Sequence, residues 1–256
     1  MAPMDNPGTE HPANDRGGLQ IIAEIELLTS VPFQRMRDFY HGALGLPVVD
    51  ESGDRLSFQG GSSRITFRAL APGVAPPFYH FAFNIPERSV VAAHAWLLDR
   101  VALIPIPPQL RDGAYPDEVV NYRHWNAHAI FFSDPAESVV ELIARHDLAN
   151  GGGAHFGSSD ILCVSEIAFV VDDVPAAASR IRKATGLPQY RGAGDEFAAI
   201  GDEAGLLLVM KRGRIISFDA PVRKEVSVYP TGVIIRGASC GTHGLEGFPY
   251  EIKVVE

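Results

Sequence analysis

From Ala23 to Thr29 apolar and polar side chains alternate, putting Ile25 and Leu27 on one face and Glu24, Glu26 and Leu28 on the other, the period of a β-strand. After Pro32 the period changes. Phe33, Met36, Phe39 or Tyr40, and Leu44 recur at helical spacing, with Pro32 suited to open a helix and Gly45 to end it. Short strands are then predicted over 46–51, 55–59 and 64–69, separated by Ser-Gly-Asp and Gly-Gly-Ser-Ser turns.

This β-α-β-β-β order restarts after the segment APGVAPP, with a strand over 78–85 and a helix over 89–100 carrying Val90, Ala93, Trp96 and Leu97 on one stripe. A Pro-rich stretch, IPIPPQLRDGAYPDE, delays the next strands to 119–123, 127–133 and 139–145, the last two joined by a tight turn at Asp134-Pro135. A third copy follows the Gly-rich segment NGGGAHFGSS: strand VSEIAFVVDD, helix VPAAASRIRKATG, and strands near Phe197, over 206–211 and about Ile215. The segment TGVIIRG reads as one further strand without a second helix, a truncated fourth copy.

The pattern predicts an α+β fold of repeated βαβββ units. Residues 1–18 are polar and rich in Pro, Gly, Asn and Asp, so a disordered tail is expected there. Residues 19–148 are expected to be a paired βαβββ domain, 149–160 a Gly-rich linker, and 161–256 a third unit plus a truncated C-terminal strand region.

Composition narrows the partners. A 256-residue chain with 46% hydrophobic residues can bury a large core. Its net charge of −9 disfavours nucleic acid and anionic membrane surfaces at long range, leaving a small molecule as the expected partner. No run of 18 or more apolar residues predicts a spanning helix. Cys163 and Cys240 are read as reduced thiols in a cytoplasmic protein, and homodimerisation is left open.

Three segments carry a resemblance: EIELLTSVPFQRMRDFYHGALGLPV, HFAFNIP and FFSDPAESVVELIAR. In this order and spacing they resemble the vicinal oxygen chelate superfamily, which includes glyoxalase I, extradiol dioxygenases, fosfomycin-resistance enzymes and bleomycin-binding proteins. The resemblance covers about residues 20–147 well and 161–212 as a partial repeat. It implies that the units form curved mixed sheets with helices on the outer face, and that residues 19–148 bind a divalent metal through Glu24, His80 and Glu141, with Glu24 standing where the superfamily often has His. Alternation agrees, since His80, Ala82 and Asn84 share one face and Val139, Glu141 and Ile143 another. Glu26 lies one pleat from Glu24 on the same face, as the alternative ligand or as part of the substrate pocket. Oxygen and nitrogen donors without thiolate fit Fe(II), Mn, Zn or Ni, and the resemblance to ring-cleaving dioxygenases implies Fe(II) among them.

The implied activity is metal-dependent chemistry on a small molecule with adjacent oxygens, foremost a ring-cleaving dioxygenase. The alternatives are a glyoxalase-like lyase or isomerase and a metal-free drug-binding resistance protein. If the Asp134-Pro135 turn sets Ile130 opposite Glu141, His128 shares the face of Ile143 and becomes the acid/base candidate. Asn126, His124 and Trp125 are expected around the substrate. Glu166 stands in the third copy where Glu24 stands in the first, but no His answers it in the fourth, so that half is expected to be a metal-free structural partner.

Overall fold

The computed structural model describes residues 22–217, 223–237 and 239–256. The tail expected at 1–18 lies outside them.

The first unit consists of β1 (Ile22–Thr29), α1 (Phe33–Arg37, continued by π-helical turns over Asp38–Ala43), β2 (Val48–Ser52), β3 (Arg55–Gly60) and β4 (Ser63–Ala69). The second consists of β5 (His80–Ile85), α2 (Val90–Leu98), β6 (Val119–Tyr122), β7 (Ala127–Ser133) and β8 (Val139–Arg145). The third consists of β9 (Cys163–Val171), α3 (Val174–Thr185), β10 (Gln189–Ala193), β11 (Phe197–Asp202) and β12 (Gly205–Lys211). A small hairpin of β13 (Ile215–Ser217) and β14 (Arg223–Glu225) precedes β15 (Thr231–Arg236), β16 (Gly241–Gly244) and β17 (Tyr250–Val255). Among the described residues no helix accompanies these last strands.

The sequence expectation of α+β units in curved mixed sheets matches this architecture, but the pairing differs. The first two units do not build one sheet. The first unit joins the C-terminal strands in a seven-stranded sheet of order β16-β17-β15-β1-β4-β3-β2. The second and third units form an eight-stranded sheet of order β10-β11-β12-β9-β5-β8-β7-β6. In each sheet the seam is an antiparallel contact, β1 with β15 and β5 with β9. Both strands of the second seam are apolar enough to be buried almost throughout, as a central position requires.

Within each unit the first strand runs parallel to the last, which places the helix on one face of the sheet. That face forms the core: Ile25 and Leu27 of β1, Tyr40, Phe81 and Phe83 of β5, and Val90, Ala93 and Leu97 of α2 belong to one buried cluster spanning both sheets. The helices end as their sequences dictate. The Asp173 carboxylate accepts from the amide of Ala176 at the start of α3, and Gly186, at φ +73°, ends it.

The sheets are also stitched by polar contacts. Ser63 Oγ donates to the carbonyl of Ile22 at 2.6 Å and accepts from the amide of Val164 at 2.9 Å. Beside it Gly61 sits at φ +60°, where a Cβ would come within 2.0 Å of the Leu162 carbonyl oxygen, so only glycine allows this approach. Among the described residues no helix is long and apolar enough to cross a membrane.

Candidate metal centre

The face of the eight-stranded sheet opposite the helices carries the polar cluster. Parallel pairing sets His80 beside Val139 and Ala82 beside Glu141, so both side chains project from this face. Across the seam Ala82 pairs with Glu166, while Phe83 pairs with Val164. Ser165 is therefore the extra residue of a β-bulge, a device that re-aims neighbouring side chains. Here it lets both Ser165 and Glu166 reach Arg145 of β8.

His80, Glu141 and Glu166 are 9%, 2% and 2% exposed, and one donor atom from each lies within 4.8 Å of the other two. His80 Nδ1 lies 3.1 Å from the Val139 carbonyl oxygen, which acts as acceptor and leaves the Nε2 lone pair facing inward. Nε2 is 3.5 Å from Glu141 Oε2 and 3.9 Å from Glu166 Oε2. Burial lowers the His80 pKa against the opposing pull of the Glu166 charge and the Val139 carbonyl, so the ring is neutral. Burial, and next the charge of Glu166, raise the Glu141 pKa well above the carboxylate range, with Arg145 opposing. Glu141 Oε1 is buried without a partner. An orphan carboxylate oxygen, an inward imidazole lone pair and a second carboxylate at one point are a donor set suited to a divalent cation.

Arg145 supports this group from behind. It is fully buried, donates from Nη2 to Glu166 Oε1 and from Nε to Ser165 Oγ at 3.2 Å, and its guanidinium lies 5.3 Å from the Trp125 ring and 5.9 Å from the Tyr190 ring. Its Nη1 has no partner. Arg145 is thus a positioning residue that holds one Glu166 oxygen and leaves the other facing His80.

Above the cluster opens a cavity of about 690 Å3, a size that suits a small molecule. Val120, Tyr122, Phe131, Leu208 and Met210 line its walls. The Pro-rich stretch supplies Gln109 to Arg111, and the loop after β12 with the start of β13 supplies Arg214 to Ile216. The phenol of Tyr122 is pushed well above its ordinary pKa, first by burial and then by the charges of Glu141 and Glu166. It stays protonated, a neutral O–H donor at the cavity wall.

The sequence-derived ligand set is only partly assembled here. His80 and Glu141 come together, but Glu24 lies in the other sheet. There its Oε1 accepts from Thr66 Oγ1 at 2.7 Å and from Arg55 Nη2 at 3.2 Å, an ordinary paired carboxylate. The reason is the seam: β5 meets β9 rather than β1, so Glu166, expected in a metal-free structural half, takes the place assigned to Glu24. Glu26 also lies away from the cavity, paired with Arg68 at 3.6 Å.

His128 faces the opposite side of the sheet from Glu141. The loop Asp134 to Ser138 sets Phe131, not Ile130, across from Glu141, and His128 across from Ala144. A slip of one residue turns every side chain over. His128 Nδ1 sits 2.7 Å from His146 Nε2, and its Nε2 lies 3.4 Å from Asp112 Oδ2.

His124 and Trp125 do line the cavity. Asn126 does not; it closes the 3-10 turn of Arg123 to Trp125 in a left-handed conformation at φ 46° and donates to Asp147 Oδ1 at 2.7 Å. Sequence reasoning missed Arg145 and Tyr122 as site residues. Alternation alone puts Arg145 on the face of Glu141 and Ile143, so that signal was present. Nothing local marks Tyr122.

No protein-family model and no curated protein matches the sequence. Solved structures do. The "putative dioxygenase from Bacillus subtilis subsp. subtilis str. 168" superposes with a TM-score of 0.56 at 15% identity, over 92% of this chain and 85% of that one. Glyoxalase I from Zea mays superposes with a TM-score of 0.53 at 12% identity, over 92% of each chain. The likeness is one of fold across nearly the whole chain.

Proposed function

We propose, for a chain with the fold of the vicinal oxygen chelate superfamily, a metal-dependent enzyme acting on a small molecule with two adjacent oxygens. The observation that carries this is the convergence of His80, Glu141 and Glu166 on one point at the floor of the cavity. A divalent cation held by these three residues would supply Lewis acidity and open positions for two substrate oxygens. His80 contributes a neutral nitrogen, its orientation fixed by the Val139 carbonyl. Arg145 keeps Glu166 anchored, and the protonated phenol of Tyr122 offers a hydrogen bond to charge developing on the substrate.

The leading chemistry is oxygen-dependent ring cleavage, with Fe(II) as the cation. The name of the Bacillus subtilis fold neighbour and the cavity's aromatic and aliphatic walls, which suit a planar ring, support it. A second reading, a glyoxalase-like lyase or isomerase, draws on a specific feature: Glu141 has a buried, unpartnered oxygen and a raised pKa, so it can take and return a proton beside a carbonyl. The test is metal analysis after loading with Fe(II), Mn(II), Zn(II) or Ni(II), followed by oxygen-electrode assays with catechols and anaerobic assays with hemithioacetals. Oxygen uptake with ring opening supports the dioxygenase, and anaerobic turnover supports the isomerase. Failure of all four metals to bind overturns both.

A further inference from the structure

We infer that the molecule accepted by this cavity is an anion whose charged group sits at the mouth, bound by Arg123 and Arg214, while its oxygen pair faces the floor. The assignment of the inner end rests on the metal reading above; that of the outer end rests on the arginines.

The cavity is polarised from floor to mouth. Among the described residues the acidic side chains lining it are Glu141 and Glu166, both 2% exposed and therefore at the floor. The arginines lining it are Arg111, Arg123 and Arg214. Arg123 and Arg214 are exposed, which sets them towards the open end rather than the buried floor, and they come from separate elements, the turn after β6 and the loop after β12. Arg111 is already paired with Asp117 at 2.8 Å, which discounts it. Arg123 has no carboxylate partner among the described residues, and Arg214 is braced over the ring of Phe197 at 5.4 Å. On a chain of net charge −9, such a mouth runs against the background and draws anions rather than cations.

Between mouth and floor the walls are apolar. Leu208 of β12 holds the position in the third unit that Glu141 of β8 holds in the second, because Leu208 pairs with Ala168 as Glu141 pairs with Ala82. One side of the floor is therefore carboxylate and the other hydrocarbon. The floor itself matches an anionic oxygen pair: two carboxylates, one buried guanidinium and one divalent cation sum to a single positive charge. The ligand class that fits is a carboxylate-bearing aromatic or similarly flat apolar molecule with neighbouring oxygens at its far end. A phosphorylated equivalent shares the chemistry.

Trp125 lines the cavity, so its fluorescence reports occupancy. The probes are 3,4-dihydroxyphenylacetate, 4-hydroxyphenylacetate and the methyl ester of each, titrated into Mn2+-loaded and EDTA-treated protein. Both acids are expected to bind at least about tenfold more tightly than their esters, with or without Mn2+, the preference shrinking as salt rises. The double variant Arg123→Gln, Arg214→Gln should bring acid and ester within about threefold of each other. Equal affinity for acid and ester, a preference that the double variant retains, or no binding of any probe at millimolar concentration would overturn the inference. The dihydroxy probes should gain over the monohydroxy ones in Mn2+-loaded protein alone; loss of that gain, with the acid preference intact, sinks the metal reading and leaves the mouth assignment standing.

Discussion

Arg145 of β8 donates to Glu166 of β9 across the intervening β5, and both side chains are buried. The guanidinium sets one unit of positive charge against the Glu166 carboxylate at the candidate cation site. Replacing Arg145 by Met releases the Glu166 oxygen that it holds, so Mn2+ affinity should fall about tenfold or more. Without metal, the same variant leaves the buried Glu166 carboxylate without its partner and should lose about 3–5 kcal/mol of stability. Arg145→Lys retains the charge and should change Mn2+ affinity little. Electron paramagnetic resonance of free Mn2+ and thermal unfolding with and without metal read both effects. An Arg145→Met protein with unaltered Mn2+ affinity would show that the guanidinium does not act on the site.

Glu166 and Glu24 separate the two possible ligand sets. Glu166→Gln, His80→Ala and Glu141→Gln should each weaken divalent metal binding about 100-fold or more, whereas Glu24→Gln should leave it within about threefold. Isothermal titration with Mn2+ decides. A large loss in Glu24→Gln with none in Glu166→Gln would restore the original assignment.

Asp134 is buried at 4% exposure and its pKa is raised to about 6, mainly by burial, with hydrogen bonds from Tyr40 and from the amides of Ser138 and Ala136 opposing. A carboxyl that holds its proton more tightly when folded than when unfolded adds stability below the unfolded value near 4. That contribution is lost as pH rises towards 6. The loss is roughly 3 kcal/mol, from the two-unit gap. Urea unfolding between pH 4 and 7 should show this fall, and Asp134→Asn should flatten it; an identical profile in the variant would exclude Asp134 as the cause.

His128 has the opposite sign. Burial leads in lowering its pKa, His146 adds to the lowering, and Asp112 opposes it, so its contribution is present above about 6.5 and disappears as pH falls further. Since it faces away from Glu141, His128→Gln should alter acid stability but leave the turnover number within about threefold. A hundredfold drop in turnover with unchanged stability would return His128 to the chemistry.

The alternating strands and amphipathic helices of the three units were readable because period 2 and period 3.6 are written locally. Strand pairing is not. The chain at β1 reads as well against β5 as against β15, and only the three-dimensional seam decides. That choice moved the third ligand from Glu24 to Glu166. Register was lost for a similar reason: one more residue in the hairpin loop, set by Asp134 accepting from Ala136 and Ser138, reversed His128. The strands Gln189–Ala193, Gly241–Gly244 and Tyr250–Val255 were missed because Gly, Lys and Glu interrupt their apolar pattern.

The antiparallel contact of β1 with β15 also fixes a timetable. During synthesis β1 emerges first yet receives its seam partner nearly last, while the sheet holding His80, Glu141 and Glu166 has all its strands once Lys211 has left the ribosome. The candidate cation site can therefore mature on the nascent chain ahead of the opposite sheet, whose unpaired edge stays open until the last described strands arrive.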